Sequence, residues 1–234
     1  MRLGILNACS PADEAEFGTE EFTTFQAFFA LAEHNFVLTE YRITEGHFPA
    51  TPHECDGYLI TGSPKGVYDD EPWIKPLEAF INRCYEAQQK LVGICFGHQM
   101  LAHALGGRTE KSDKGWGIGL RQFEILEQRP WMNPPLEKGA LYFAHQDQVM
   151  QLPPNAQLLA GDSFCPNTMF TMGNQVLGVQ GHPEFTRSYM GAIVELLRPY
   201  MDETTTQEGL ASLEQGAADN KVMAQWIVNF LQAD

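Results

Sequence analysis

Short apolar runs alternate along this chain with stretches whose apolar residues recur every three or four positions. The run from Arg2 to Ala8 predicts a first buried strand. Phe22, Phe25, Phe29 and Ala32 then fall at helical spacing and predict a helix from Thr19 to Glu33. Strands follow from Phe36 to Tyr41 and from Tyr58 to Thr61, the second stopped by Gly62-Ser63-Pro64. Ile74, Leu77, Ile81, Cys84 and Tyr85 form the apolar face of another helix. Lys90 to Ile94 predicts a fourth buried strand, and the helix after it runs through Leu101 and Ala104 to a stop at Gly106-Gly107.

This alternation predicts an α/β three-layer sandwich with a mixed, mostly parallel central sheet and helices on both faces. The second half is richer in strands, with candidates at 122–126, 140–144, 157–160, 168–172 and 176–180. They extend the sheet or fold over it as an antiparallel flap, and a mixture of the two is expected. No repeat or linker divides the chain, so residues 1–200 read as one domain. Residues 201–234 read as an acidic connection, with a weak helix start at Thr204-Thr205-Thr206, followed by a closing helix carrying Val222, Trp226, Ile227 and Phe230 packed on the same domain. The connection is expected to be solvated and partly mobile.

The charge balance narrows the range of partners. Fifteen Lys and Arg against thirty Asp and Glu give a net charge of −15 over 234 residues. A field of that sign repels nucleic acid and anionic lipid, so neither is expected as a partner. No run approaches the ~18 apolar residues of a bilayer span. The apolar N-terminus is too short for a signal peptide and is followed at once by Asp13, Glu14 and Glu16. The five cysteines (Cys9, Cys55, Cys84, Cys95 and Cys165) are odd in number and scattered, which fits a reducing cytoplasm better than a disulfide framework.

One of those cysteines stands in a special setting. In Gly93-Ile94-Cys95-Phe96-Gly97-His98-Gln99 a buried strand runs into Gly-x-Cys-x-Gly and a helix begins immediately after. Glycines two residues either side permit a sharp strand-to-helix turn that lifts the side chain clear of the sheet. Cys95 then sits at a helix N-terminus, where unpaired N–H groups and the helix dipole favour a thiolate. Read alone, the segment is equally a small buried cysteine with packing glycines. No metal is expected, because nothing near Cys95 and His98 supplies two further ligands at usable spacing.

A second strand ends in Gly181-His182-Pro183-Glu184. In extended chain residues two apart share a side, so His182 and Glu184 can face the same way. A carboxylate beside an imidazole can hold one ring nitrogen protonated and aim the other at a thiol. A lone His-x-Glu is usually a surface ion pair, but beside an elbow cysteine it becomes specific.

Together these motifs resemble the class I glutamine amidotransferases, which use a Cys-His-Glu triad. Stand-alone members similar to the glutaminase part of GMP synthase also share Thr61-Gly62-Ser63-Pro64 and Tyr68-Asp69-Asp70. The similarity runs from Met1 to about Tyr200 and implies a flavodoxin-like fold. It implies that Cys95 attacks the amide carbon of glutamine to give a γ-glutamyl thioester and ammonia, with His182 shuttling the proton and Glu184 orienting it. It assigns the oxyanion hole to the backbone N–H groups of Ser63 and Phe96, although relatives often carry glycine where Ser63 stands. It further implies that Gly62 and Gln99 lie at the substrate and that Lys114-Gly115-Trp116-Gly117 meets the amino-acid end of glutamine through Gly115 and Trp116. His145 and Asp147, in Ala144-His145-Gln146-Asp147, would support the substrate loop. No organic cofactor is expected.

The chain shows neither a Ser-Gly-Gly-x-Asp-Ser pyrophosphate loop nor a P-loop. The expected activity is therefore glutaminase-type hydrolysis that hands ammonia to a separate synthase subunit. The alternative is a free-standing γ-glutamyl peptidase acting on γ-glutamyl conjugates. A non-enzymatic scaffold is the third reading, which the retention of all three triad residues argues against. The related elbow-cysteine chaperones and proteases place histidine directly after the cysteine, where this chain has Phe96.

Overall fold

Eleven strands and seven α-helices make up the fold, in a computed structural model that describes residues 1–233. The strands are β1 (Arg2–Asn7), β2 (Val37–Arg42), β3 (Gly57–Ile60), β4 (Lys90–Ile94), β5 (Arg108–Lys111), β6 (Gly117–Ile125), β7 (Lys138–His145), β8 (Asp147–Gln151), β9 (Gln157–Gly161), β10 (Met169–Met172) and β11 (Val176–Val179). Nine of them form one sheet in the order β2-β1-β3-β4-β11-β10-β9-β6-β7, while β5 and β8 pair separately. The first five strands in that order are mutually parallel, and every later pairing is antiparallel. Alternation of direction then leaves only β10 and β6 running against the rest, so the sheet is mixed and mostly parallel, as expected.

The helices are α1 (Pro11–Phe17), α2 (Glu21–Phe29), α3 (Ile74–Glu86), α4 (Phe96–Ala104), α5 (Arg187–Leu197), α6 (Glu203–Ser212) and α7 (Asn220–Gln232). Phe25, Phe28 and Phe29 of α2 and Trp226, Ile227 and Phe230 of α7 bury one sheet face with Leu3, Val92 and Leu177. On the other face Leu77, Phe80 and Ile81 of α3 and Met100 and Leu101 of α4 pack on Tyr58, Ile60 and Leu91. A third apolar cluster joins α5 to β6 and β7 through Met190, Ile193, Val194, Ile118 and Tyr142.

Several local readings are revised. The helix expected over 19–33 is shorter and follows a separate α1, started by a capping box in which Ser10 accepts from Asp13 N–H and Asp13 returns the bond. The 201–220 stretch is not a plain connection. Asp202 caps α6 by accepting from the backbone and hydroxyl of Thr205, which satisfies helix-start donors that a charge count does not see. Strand β6 begins five residues before the expected Gln122, because Gly117 pairs with His145 and Gly119 takes a φ of +79°. β5 and β8 were not expected, since Arg108-Thr109-Glu110-Lys111 buries only Thr109 and lacks an apolar alternation.

Candidate active site

The carboxyl ends of three neighbouring strands, β3, β4 and β11, carry the three segments singled out by sequence. Ile60 pairs with Gly93 and Ile94 with Val179, so Thr61-Gly62, Cys95 and Gln180-Gly181-His182 leave the sheet side by side. Cys95 N–H donates to Val179 O at 2.9 Å, and Gly97 N–H to Thr61 O at 3.1 Å. These bonds lock the elbow to both adjacent strands.

The turn at Cys95 has φ +50° and ψ −103°, a conformation L residues rarely adopt. The flanking glycines are required by space. A Cβ on Gly93 would lie 2.3 Å from Gly97 O, and one on Gly97 would lie 2.3 Å from Ile60 O. Strain of this kind costs on the order of 1–3 kcal/mol and persists because the surrounding strands hold it. Phe96 is the first residue of α4, so its N–H has no intrahelical acceptor. Ser63 N–H likewise donates to no protein acceptor among the described residues.

His182 is held by its backbone, which donates to Tyr142 O at 2.7 Å, and by its ring, which stacks on Phe185 at 4.0 Å with planes 12° apart. Its Nδ1 lies 2.6 Å from Glu184 Oε1, leaving Nε2 for the Cys95 side. Burial opposes the charged imidazole, but the fields of Cys95 and Glu184, with hydrogen bonds to both, outweigh it and raise the pKa well above its ordinary value. Gln180 Nε2 approaches Cys95 Sγ at 3.6 Å. Gly62 belongs here too: a Cβ on it would meet His182 Cε1 at 3.0 Å and Cys95 Cβ at 4.0 Å.

Cys95 and His182 open into a pocket that Gly62, Ser63, Gln99, Trp116, His145 and Asp147 also line. Gln99 is buried, its Nε2 donating to Asp147 O at 2.8 Å and to Gln180 Oε1 at 3.1 Å, so it fixes the β7–β8 turn against the elbow. His145 Nδ1 lies 2.9 Å from the same Asp147 carbonyl, and burial lowers its pKa to about 3, which keeps the ring neutral. Burial raises Asp147, with Tyr68 hydrogen-bonded to its carboxylate. Trp116 is half-buried, donating Nε1–H to Tyr200 O at 3.1 Å. Gly115, at φ +74°, is outside the lining. Phe96 packs inward on Trp73 with ring centroids 5.3 Å apart, so only its backbone faces the thiol side.

Sequence reading did not anticipate the wall formed by Cys9, Glu14, Phe17, Thr19 and Glu21, opposite Phe185 and Tyr189. A signal for it exists in Ser10-Pro11-Ala12-Asp13, a helix start directly after a strand. Among the described residues, no three His, Cys, Asp or Glu side chains group as a metal site, and no helix is long and apolar enough to cross a membrane.

Comparison with known proteins adds a family and a fold to this geometry. The family model for glutamine amidotransferase class-I matches residues 28–195. The chain is 30% identical over 201 residues to gamma-glutamyl peptidase 5 of Arabidopsis thaliana, covering 82% of this chain and 80% of that one. It is 30% identical over 139 residues to a glutamine-hydrolyzing GMP synthase of Dehalococcoides mccartyi, covering 59% of this chain and 25% of the synthase. A crystal structure of a glutamine amidotransferase from Thermotoga maritima superposes with a TM-score of 0.79 at 18% identity, covering 99% of this chain and 98% of the other.

Proposed function

The chain belongs to the class I glutamine amidotransferase family, and within it we propose a free-standing γ-glutamyl peptidase that hydrolyses γ-glutamyl conjugates through a thioester on Cys95. The observation that carries this reading is the convergence of a strained elbow thiol and a carboxylate-paired imidazole at the mouth of one pocket. In the reaction, Cys95 Sγ forms a bond to the γ-carbonyl carbon as His182 Nε2 takes the thiol proton. The tetrahedral oxyanion is met by the N–H groups of Phe96 and Ser63; such donors are each worth ~10²–10³ in rate. Collapse breaks the C–N bond, and His182 returns its proton to the departing amine. Water, deprotonated by His182, then attacks the thioester, the C–S bond breaks, His182 returns that proton to Cys95 Sγ, and glutamate leaves.

Two observations favour this over the expected glutaminase that feeds a synthase. The peptidase relative is matched over most of its own length, whereas the GMP synthase is matched over a quarter of its length. The pocket also continues past the thiol along α1, α2 and α5, giving room beyond the amide nitrogen. The glutaminase remains the second reading, supported by that GMP synthase similarity.

Incubating the purified chain with glutamine and a panel of γ-glutamyl dipeptides, and reading released glutamate, separates the two. Faster release from the dipeptides is the expected result. Release from glutamine alone restores the glutaminase reading and calls for a separate synthase. Failure with every compound removes the peptidase proposal.

A further inference from the structure

Glu21, at the start of α2, is 4% exposed and lines the pocket, yet no hydrogen bond or ion pair engages its carboxyl group among the described residues. Its own N–H donates to Glu14 Oε1 at 3.0 Å, so only the backbone is tied down. Glu14 is already occupied by Asn7 at 3.0 Å and Arg42 at 3.2 Å. The groups whose charges act on Glu21 are Glu184, His182 and Glu14, and its pKa rises to about 8, with burial the largest cause and Glu184 next. Glu21 in turn acts on Tyr189 of α5 and on Cys9. A buried carboxyl with no partner, opening into a cavity beside a thiol, lacks the hydrogen bond that normally offsets its desolvation.

The pocket has two chemically different ends. At one, Asp147 feels Tyr68, Asp69 and Lys111, and Lys65 reaches the lining while paired with Glu71 at 2.8 Å. At the other, Glu21 and Glu14 are the titratable carboxyls on the wall, and no lysine or arginine lines the cavity there. A γ-glutamyl half carries both an ammonium and a carboxylate, so it suits the end that offers both signs. The leaving half is then directed to the acidic end, where Phe17, Phe185, Tyr189, Ile193 and Leu197 supply apolar surface beside Cys9 and Thr19.

We infer that Glu21 forms a leaving-group subsite that selects γ-glutamyl amides whose amine half is an apolar stem ending in a second, positively charged nitrogen. The stem lies along the aromatic wall of Phe185 and Tyr189, and the distal ammonium pairs with the Glu21 carboxyl, which releases its proton to solvent on pairing. This inference rests on the γ-glutamyl hydrolase reading and adds the class of amine.

Three amides of equal chain length test it: γ-glutamyl-1,4-diaminobutane, γ-glutamyl-butylamide and γ-glutamyl-4-aminobutanoate, which end in a cation, a methyl and an anion. The expected order of kcat/KM is cation, then neutral, then anion, with about tenfold between the first two, the scale of a charge-assisted hydrogen bond. Glu21→Gln should abolish that preference, read within the variant as the ratio of kcat/KM on the diaminobutane amide to that on the butylamide. Equal rates on all three, a preference for the anion, or a uniform loss in Glu21→Gln would overturn the inference, the last by assigning Glu21 to the glutamyl half. Calorimetry with free 1,4-diaminobutane and, as the uncharged control, free 1-butanol reads the subsite without turnover. Binding of the diamine that Glu21→Gln weakens supports the subsite even if no amide is hydrolysed, and absence of such binding overturns it.

Discussion

Nδ1 of His182 lies 2.6 Å from Oε1 of Glu184, and the two residues are separated in sequence only by Pro183. The proline fixes the backbone between them, and the stacked ring of Phe185 closes the other side of the imidazole. Glu184 raises the His182 pKa, so Glu184→Gln should lower it. The variant should lose ~10²–10⁴ in kcat, the usual range for a positioned acid–base group. The pH–rate profile of glutamate release checks both, and an unshifted profile would remove Glu184 from the role of orienter.

Cys95 should be alkylated by iodoacetamide before the other four thiols. Burial raises the pKa of Cys84 to about 12 and that of Cys165 to about 11, and it raises Cys55 and Cys9 as well. Peptide mass mapping over a time course reads the order. Cys9 is the informative competitor because it lines the same pocket, its Sγ 3.6 Å from Gly62 O.

Substitution at the elbow should separate strain from chemistry. Cys95→Ala and Cys95→Gly both remove the nucleophile and should release no glutamate. Only glycine relaxes the φ of +50°, so Cys95→Gly should be the more stable of the two by about 1–2 kcal/mol in urea unfolding. Equal stabilities would mean that the turn is not strained.

Gly62→Ala should keep the fold and injure the reaction. Its new methyl carbon would stand 3.0 Å from His182 Cε1, so the ring must yield by a few tenths of an ångström. Misplacing a reacting group by ~1 Å costs about 10²-fold, so roughly a tenfold loss in kcat is expected, with an unchanged circular dichroism spectrum.

Stability should fall on both sides of neutrality for identifiable reasons. Burial holds His98 and His145 near pKa 3, whereas an unfolded histidine takes its proton near 6.5. Between those values the unfolded chain binds more protons, so stability drops as pH falls, by up to about 1.4 kcal/mol per pH unit for each ring. Glu21 acts in the opposite direction. Its folded pKa of about 8 exceeds the ordinary 4.5, so its contribution is lost as pH rises through that window. Urea unfolding of wild type and Glu21→Gln at pH 5, 6.5 and 8 should show the variant gaining on the wild type at each step.

Much of this protein is legible in its sequence. Buried runs such as Leu91–Ile94 and the three-and-four spacing of Ile74, Leu77, Ile81 and Cys84 are local patterns, and they gave the parallel half of the sheet with its helices. Gly-x-Cys-x-Gly and His-Pro-Glu were readable because each encodes a backbone constraint within a few residues: a turn that only glycines permit, and two side chains aimed one way. The antiparallel half was harder. β5 and β8 bury too little to show a period, and α6 depends on an Asp202 cap within a stretch whose composition reads as solvated. Trp116 likewise finds its polar partner only across the fold, its indole N–H donating to Tyr200 O.

The sequence alone picked out the groups proposed to carry the chemistry, since an elbow thiol and an imidazole–carboxylate pair are set by neighbours along the chain. The tertiary structure alone decided what else shares their space. Glu21 is 74 residues from Cys95 and 163 from Glu184, and no periodicity links them. Only the docking of α1 and α2 beside β1 brings that carboxyl to the pocket, where exclusion of water and the charge of Glu184 change its chemistry. Burial and long-range electrostatics belong to the folded surface and leave no mark on the local sequence.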